Sequence, residues 1–156
     1  MAKYCKLKGG PALYLECKEC DERACEQEDK TENITHRIII AGTRDFDDYQ
    51  VVRKLMSLHF AKIPADQIEI ISGGASGADK LGEQFAKRND LKLTIFPADW
   101  EKYGKAAGPI RNKQMADYAS ERKGYLVAFW DGKSRGTENM IQQAKENGLI
   151  VMCHMY

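Results

Sequence analysis

The sequence carries almost no net charge, with 24 Lys and Arg against 23 Asp and Glu. This balance argues against a strongly basic surface for nucleic acid, although a local basic pocket is still compatible with it. No apolar run approaches the length that spans a membrane, and residues 1–5 lack the apolar core of a signal peptide. We therefore expect a soluble, cytoplasmic protein whose 156 residues bury one core.

Familiar nucleotide-binding signatures are also missing. Gly-x-Gly-x-x-Gly follows no predicted strand, which argues against a standard dinucleotide fingerprint. Gly132-Lys133-Ser134 resembles the end of a P-loop, but Val127 stands inside a predicted strand where the first glycine should be. The three histidines show no metal-ligand spacing. An NTPase P-loop is therefore excluded.

Cysteines are few and unevenly placed. In a reducing compartment, the cluster near the start favours metal over disulfides. The Cys17-x-x-Cys20 pair suits zinc because a tight turn can direct both thiolates at one ion. The other spacings match no regular zinc finger, so free thiols remain the alternative to a structural zinc site. The proposed zinc ligands are Cys5, Cys17, Cys20 and Cys25.

The first part of the chain differs from the rest in its apolar pattern and its charge. Residues 1–34 have no apolar stripe and a highly charged stretch at 21–33, so they cannot bury much surface unaided. We expect this cysteine-containing segment to be a zinc-stapled knob or a loose arm. Residues 35–156 form the main domain.

The most informative stretch lies at residues 70–79. The β-branched run from Ile68 to Ile71 ends in small residues and then enters a helical pattern, which predicts a strand, a tight loop and a helix start. Glycines let a ligand approach the backbone, and the amides at a helix start favour an anion such as phosphate. A tight turn packed against the sheet is the alternative.

Strand and helix patterns alternate from residue 37 onward. Apolar runs at 38–41, 91–96, 125–129 and 149–153 predict four more strands. This order is typical of an α/β fold, a doubly wound and mostly parallel five-stranded sheet with helices on both faces. The loops after the strands then meet at the carboxyl edge of the sheet, where such folds bind ligands.

Side chains in these loops suit a nucleotide. Taken singly, each has another explanation, because aspartate and threonine cap helices, tryptophan packs and lone basic residues are solvated. Backbone amides at Gly73–Gly77 and at Gly136-Thr137 are candidates for phosphate. The other candidates are Arg44, Lys105, Arg111, Lys133 and Arg135 for charge, Trp100, Tyr103 and Trp130 for a base, and Asp79, Asp131 and Asn112 for ribose hydroxyls.

A long connection at 97–112 precedes a helix predicted from Arg111 to Ala119. Long loops in compact domains are commonly functional. The glycines at 104 and 108 would permit movement and the lysines could reach phosphate, so we expect the loop from Pro97 to Pro109 to act as a lid.

Several of these blocks occur together and in order between about residues 36 and 154. That part of the chain resembles the YspA-like branch of the SLOG superfamily, Rossmann-like domains related to the cytokinin-activating phosphoribohydrolases and to DprA. The matching blocks are Gly42-Thr43-Arg44-Asp45-Phe46, Ser72-Gly73-Gly74-Ala75-Ser76-Gly77-Ala78-Asp79, Pro97-Ala98-Asp99-Trp100, Gly104-Lys105-x-x-Gly108-Pro109-x-Arg111-Asn112 and Trp130-Asp131-Gly132-x-Ser134-x-Gly136-Thr137.

The resemblance implies a nucleotide or nucleotide-derived ligand held by the Gly73-Gly74 and Gly136-Thr137 loops. It also implies self-association, which the aromatic residues near the expected pocket rim favour as well. The ligand-binding residues expected on all these grounds are Gly42, Thr43, Arg44, Ser72, Gly73, Gly74, Ala75, Gly77, Asp79, Trp100, Lys105, Arg111, Asn112, Trp130, Ser134, Arg135, Gly136, Thr137 and Glu138.

Catalysis is less clearly implied. The phosphoribohydrolases carry Pro-Gly-Gly-x-Gly-Thr-x-x-Glu, whose glutamate takes part in cleaving the N-glycosidic bond. Here Met140 stands in its place and the proline is missing. Methionine cannot transfer protons, and Glu138 would point in another direction from the helix.

The motifs and the resemblance leave three alternative hypotheses for the function. The leading one is a sensor or sequestering protein for a nucleotide-derived signal, ADP-ribose-like or a cyclic nucleotide. The second is an N-glycosidic hydrolase that uses Asp79, Asp131 or Glu138, with Arg44 or Arg111 as phosphate clamp. The third is a DprA-like single-stranded nucleic-acid binder, against which the near-neutral charge counts.

Overall fold

The computed structural model describes residues 33–156, together with the backbone of residues 3–5 and 10–12. The chain divides into two units, Met1–Glu32 and Asn33–Tyr156. In the first unit, β1 (Lys3–Cys5) and β2 (Gly10–Ala12) pair antiparallel. The proposed zinc ligands lie outside the residues whose side chains are described, so the zinc site stays a prediction.

The second unit is built on a parallel sheet. The strand order is β5-β4-β3-β6-β7, and every neighbouring pair is parallel. The predicted Rossmann-like α/β fold is therefore confirmed, with a five-stranded sheet that is wholly rather than mostly parallel. The strands are β3 (His36–Gly42), β4 (Ile68–Ser72), β5 (Lys92–Ile95), β6 (Lys123–Trp130) and β7 (Ile150–Met155).

Helices cover both faces, because alternate residues of a strand point to opposite sides. Ile38 and Ile40 of β3 belong to one buried cluster and Ile39 to the other. No helix that the structure describes is long and apolar enough to cross a membrane. The helices are α1 (Tyr49–Phe60), α2 (Ala78–Arg88), α3 (Trp100–Tyr103), α4 (Ala107–Ser120) and α5 (Arg135–Glu146), with 3₁₀ turns at Ala65–Gln67 and Gly104–Ala106.

The connection at 97–112 differs from the sequence prediction. It is largely helical, and α4 begins at Ala107 instead of Arg111. Pro109 is tolerated in the first turn of α4, where backbone N–H groups have no partner within the helix. Gly108 also lies in that turn, so the prediction of a loop hinge at this glycine is wrong.

A buried ion pair fixes α4 at the amino end of the sheet. Glu69 in β4 is fully buried and accepts hydrogen bonds from Arg37 Nε at 3.0 Å and from the Tyr118 hydroxyl at 2.7 Å. The Thr94 hydroxyl donates to the same carboxylate at 2.5 Å. The Arg37 guanidinium also lies 3.6 Å from the centre of the Tyr118 ring. These contacts tie three strands to α4.

We expect Glu69→Ala to lower the free energy of unfolding by about 3–5 kcal/mol, since it leaves the Arg37 charge buried without its main partner. The matched control is Glu121→Ala, which removes an exposed partner of Arg37 and should cost less than about 1 kcal/mol. Urea unfolding of both variants measures the two losses. Equal losses would show that this network does not anchor the helix.

Candidate functional site

A cavity of about 300 Å³ opens at the carboxyl end of the sheet. Its wall combines the loops after β3, β4 and β6 with the amino-terminal parts of α4 and α5 and with the connection that carries Trp100 and Lys105. Both glycine turns contribute to it, through Ala75 and Gly136. The sequence-predicted residues that line it are Gly42, Arg44, Ala75, Asp79, Trp100, Lys105, Arg111, Asn112, Ser134, Arg135, Gly136 and Thr137.

Other predicted residues do not line the cavity but make hydrogen bonds within the loops that form its wall. The Ser72 hydroxyl accepts from the Gly74 amide at 3.0 Å and donates to Glu83 at 2.8 Å. The Thr43 hydroxyl accepts from the Asp131 amide at 3.3 Å. The predicted residues that do not line the cavity are Thr43, Ser72, Gly73, Gly74, Gly77, Tyr103, Trp130, Asp131, Lys133 and Glu138.

Two of the three catalytic candidates lie away from the cavity. Asp131 accepts from the amides of Lys133 and Ser134 at 2.9 and 2.8 Å, and these hydrogen bonds hold the pKa of its carboxyl below the ordinary value. Glu138 is exposed in the first turn of α5. Only Asp79 of the three lines the cavity.

Asp79 is a buried carboxylate in the cavity wall. It is 4% exposed, and its Oδ2 accepts from the Ala75 amide at 3.4 Å. Burial raises the pKa of Asp79 to about 6, although the positive charge of Arg111 and the neighbouring backbone amides oppose the rise. The cap of α2 is Gly77, so Asp79 is not held here by a capping role.

Gly73 lets Arg111 and Asp79 come together. A side chain at this position would collide with the Arg111 guanidinium and the Asp79 carboxylate. Instead, Arg111 Nη1 donates a hydrogen bond to the Gly73 carbonyl. Burial lowers the pKa of Arg111 and the nearby Asp79 opposes that shift. This glycine is therefore required by close packing within the site.

A chain of hydrogen bonds joins the two glycine turns. Arg111 Nε donates to Asn112 Oδ1 at 3.0 Å. Asn112 Nδ2 in turn donates to the Gly136 carbonyl at 3.2 Å and to Asn139 Oδ1 at 3.0 Å. Since Arg111 also holds the Gly73 carbonyl, neighbouring residues of α4 bind the turn after β4 and the start of α5.

The start of α5 forms the opposite part of the wall. Ser134 caps the helix by accepting from the Thr137 amide at 3.4 Å. The earliest amides of a helix have no partner within it and attract anions. A methyl group added at Gly136 would meet no protein atom within 4 Å, so the backbone there is open to close approach.

Four cationic side chains line the same cavity, Arg44, Lys105, Arg111 and Arg135. Among the described residues that line the cavity, Asp79 is the only acidic one. A site with this excess of positive charge and exposed helix amides is suited to an anionic group.

Several lining residues were missed by sequence reasoning. Asn139 and Met140 follow Gly136 by three and four positions, so helical periodicity alone would place them on the same face. Met115 stands in the same relation to Arg111. The lining residues absent from the predicted ligand-binding set are Ala41, Gly108, Pro109, Met115, Asn139 and Met140. Of these, Met140 was named only as the residue in place of the hydrolase glutamate.

Among the described residues, no three His, Cys, Asp or Glu side chains converge as a metal site.

Comparisons with known proteins agree with the resemblance drawn from the motifs. Residues 36–103 match a family model described as the YspA, cpYpsA-related SLOG family, which confirms that resemblance. The chain is also similar to the Gene 61 protein of Mycobacterium phage D29, with 29% identity over 121 residues, 74% of this chain and 94% of that protein.

A solved structure shows the same fold. DNA processing protein A (DprA) from Streptococcus pneumoniae matches with a TM-score of 0.58 and 18% identity, over 77% of this chain and 50% of that one. This chain therefore spans only half the length of DprA, and the likeness concerns the fold alone.

The raised pKa of Asp79 predicts a pH-dependent stability. Because the pKa is about 6 in the folded protein against an ordinary 3.8, the folded state holds the proton over that interval. The free energy of unfolding should then fall as the pH rises from about 4 to about 6. Asp79→Asn removes this dependence, so its stability relative to the natural protein should rise by about 2–3 kcal/mol between pH 4 and pH 7.

Urea unfolding across this pH range measures the difference. Asp66→Asn is the control, because Asp66 is exposed and lies outside the cavity. If both variants keep a constant difference from the natural protein, the burial of the Asp79 charge has no energetic consequence.

Proposed function

We propose that this domain, which matches the SLOG family model over residues 36–103, binds a phosphorylated nucleoside or nucleotide-derived signal in the cavity at the carboxyl edge of its sheet. It acts as a sensor or as a protein that sequesters the signal. The observation that carries the proposal is the convergence of four cationic side chains and the α5 start on one cavity.

The phosphate belongs at the α5 end. There Arg135 and the backbone at Gly136 face the cavity. Charge-assisted hydrogen bonds from arginine are strong and two-pronged, and helix amides add to them. Arg44 and Lys105 supply further positive charge from the rim.

The remainder of the cavity suits the nucleoside. Its apolar lining includes Met115 and Met140, both buried, and Trp100, which is half exposed. Aromatic and apolar faces of this kind bind planar bases. A volume of about 300 Å³ lies at the lower end of the range for small-molecule sites.

Binding without hydrolysis is favoured by the residue at position 140. Met140 lines the cavity where the related phosphoribohydrolases carry glutamate, and it cannot transfer protons. Asp79 offers the one observation that favours the hydrolase alternative, since a carboxyl with a raised pKa can donate a proton. Release of free base from a nucleoside monophosphate would support that alternative.

A nucleic-acid function has less support. The likeness to DprA concerns fold, and the whole chain has a net charge of only +1. Salt-sensitive binding to single-stranded DNA would be its signature.

A panel of nucleotides, cyclic nucleotides and ADP-ribose tests the proposal. At least one should raise the melting temperature, and mass spectrometry of the freshly purified protein should identify a bound nucleotide. Arg135→Ala should weaken binding by about 10-fold or more, because it removes a charge-assisted contact. Arg53→Ala, on the exposed side of α1 away from the cavity, should leave binding unchanged. If no member of the panel shifts the melting temperature, the proposal fails.

Gly136→Ala tests the α5 end separately. The added methyl group meets no protein atom and Gly136 has helical backbone, so the fold should be preserved. Because the methyl group would occupy the space needed by a phosphate, binding should fall by at least about 10-fold. Isothermal titration calorimetry measures the loss, and unchanged affinity would show that phosphate does not approach this turn.

A further inference from the structure

Asp79 changes what the glycine turn after β4 can bind. Its carboxylate accepts from the Ala75 amide, and its pKa is also influenced by the amides of Gly73 and Gly42. The Gly74 amide is bonded to Ser72. The protein therefore places its own negative group in this turn, where a ligand phosphate would meet like charge.

The group that fits Asp79 must be a hydrogen-bond donor. A carboxylate accepts through two oxygens and donates nothing when ionised. Asp79 is 4% exposed and lines the cavity, so the cavity is the side from which a ligand donor can approach it. Arg111 lies nearby but gives its Nη1 to the Gly73 carbonyl and its Nε to Asn112.

This inference rests on the proposed function. We propose that Asp79 accepts a hydrogen bond from the 2′-hydroxyl of a ribose, so that the site selects ribonucleotides over their 2′-deoxy counterparts. In a nucleotide, the ribose lies between the base and the phosphate. The cavity likewise has its anion site and its hydrogen-bond acceptor at different places. Cationic groups and the α5 start offer the anion site, while the buried carboxylate offers the hydroxyl site. Dinucleotide-binding parallel α/β folds also use an acidic residue for a ribose hydroxyl, although theirs lies about 20 residues beyond the glycine turn.

The exocyclic amine of a base is the competing donor. Adenine, cytosine and guanine carry one, and uracil does not. The comparison of a ribonucleotide with the deoxynucleotide of the same base therefore isolates the hydroxyl contribution, because both carry the same base donors. The comparison of adenosine with uridine 5′-monophosphate reports on the exocyclic amine.

The experiment compares four probes by isothermal titration calorimetry at pH 8, where Asp79 is ionised. They are the 5′-monophosphates of uridine, deoxyuridine, adenosine and deoxyadenosine. Each ribonucleotide should bind about 10- to 100-fold more tightly than its deoxy form, because the deoxy form lacks the 2′-hydroxyl that donates a charge-assisted hydrogen bond to Asp79. This comparison needs only the natural protein, so it does not depend on any variant folding.

Asp79→Asn then assigns the effect to the residue. It should reduce the ribose preference to less than about 3-fold while the phosphate contribution persists. Asp66→Asn, outside the cavity, should keep the full preference. Circular dichroism checks that both variants are folded.

The possible results distinguish a failure of the role given to Asp79 from a failure of nucleotide binding itself. Equal affinity for ribo and deoxy forms overturns the role of Asp79 while nucleotide binding stands. A preference for adenine over uracil that disappears in Asp79→Asn, without any ribose preference, assigns Asp79 to the base and likewise overturns it. If none of the four probes and no member of the nucleotide panel binds, the proposed function fails and the ribose assignment fails with it.

Discussion

The geometry of the site depends on the hydrogen bonds that Arg111 and Asn112 make in opposite directions. Arg111 holds the carbonyl of Gly73, and Asn112 holds the carbonyl of Gly136. Consecutive helical residues point about 100° apart, so one turn of α4 can reach two loops that are distant in sequence. Because Glu69 and Arg37 anchor the far end of α4, this turn keeps a fixed position over the sheet.

The charges within that frame divide the cavity. From the sequence, both glycine turns were predicted to bind phosphate, since both combine small residues with a helix start. In the structure, the turn after β4 already holds the Asp79 carboxylate, whereas the start of α5 carries Arg135 and no lining carboxylate. Phosphate is therefore favoured at the second turn. The pair of turns acts as a two-ended site, with an anion subsite and a hydrogen-bond acceptor.

Much of the fold follows from local sequence pattern. The run Ile38–Ile40 is buried on both faces of the sheet, which is why a continuous apolar segment identified a central strand. The start of α4 was missed because Gly108 and Pro109 read as loop residues, although both are compatible with a first helical turn. Asn139 and Met140 were left out of the predicted ligand-binding set, which ended at Glu138, although helical periodicity from Gly136 places both on the same face. The partnership of Asp79 with Gly73 and Arg111 could not be predicted, since it requires three segments to meet in space.

An amide-resolved NMR titration of the ¹⁵N-labelled protein with adenosine 5′-monophosphate, a cyclic nucleotide and ADP-ribose in turn reports where a nucleotide lies. At least one of them should give saturable shifts of the Ala75, Gly136 and Thr137 amides, which belong to the two turns at the cavity. Shifts confined to another region, such as the depression beside Leu55, His59 and Met152, or no saturable shift with any of the three, would refute nucleotide binding in this cavity.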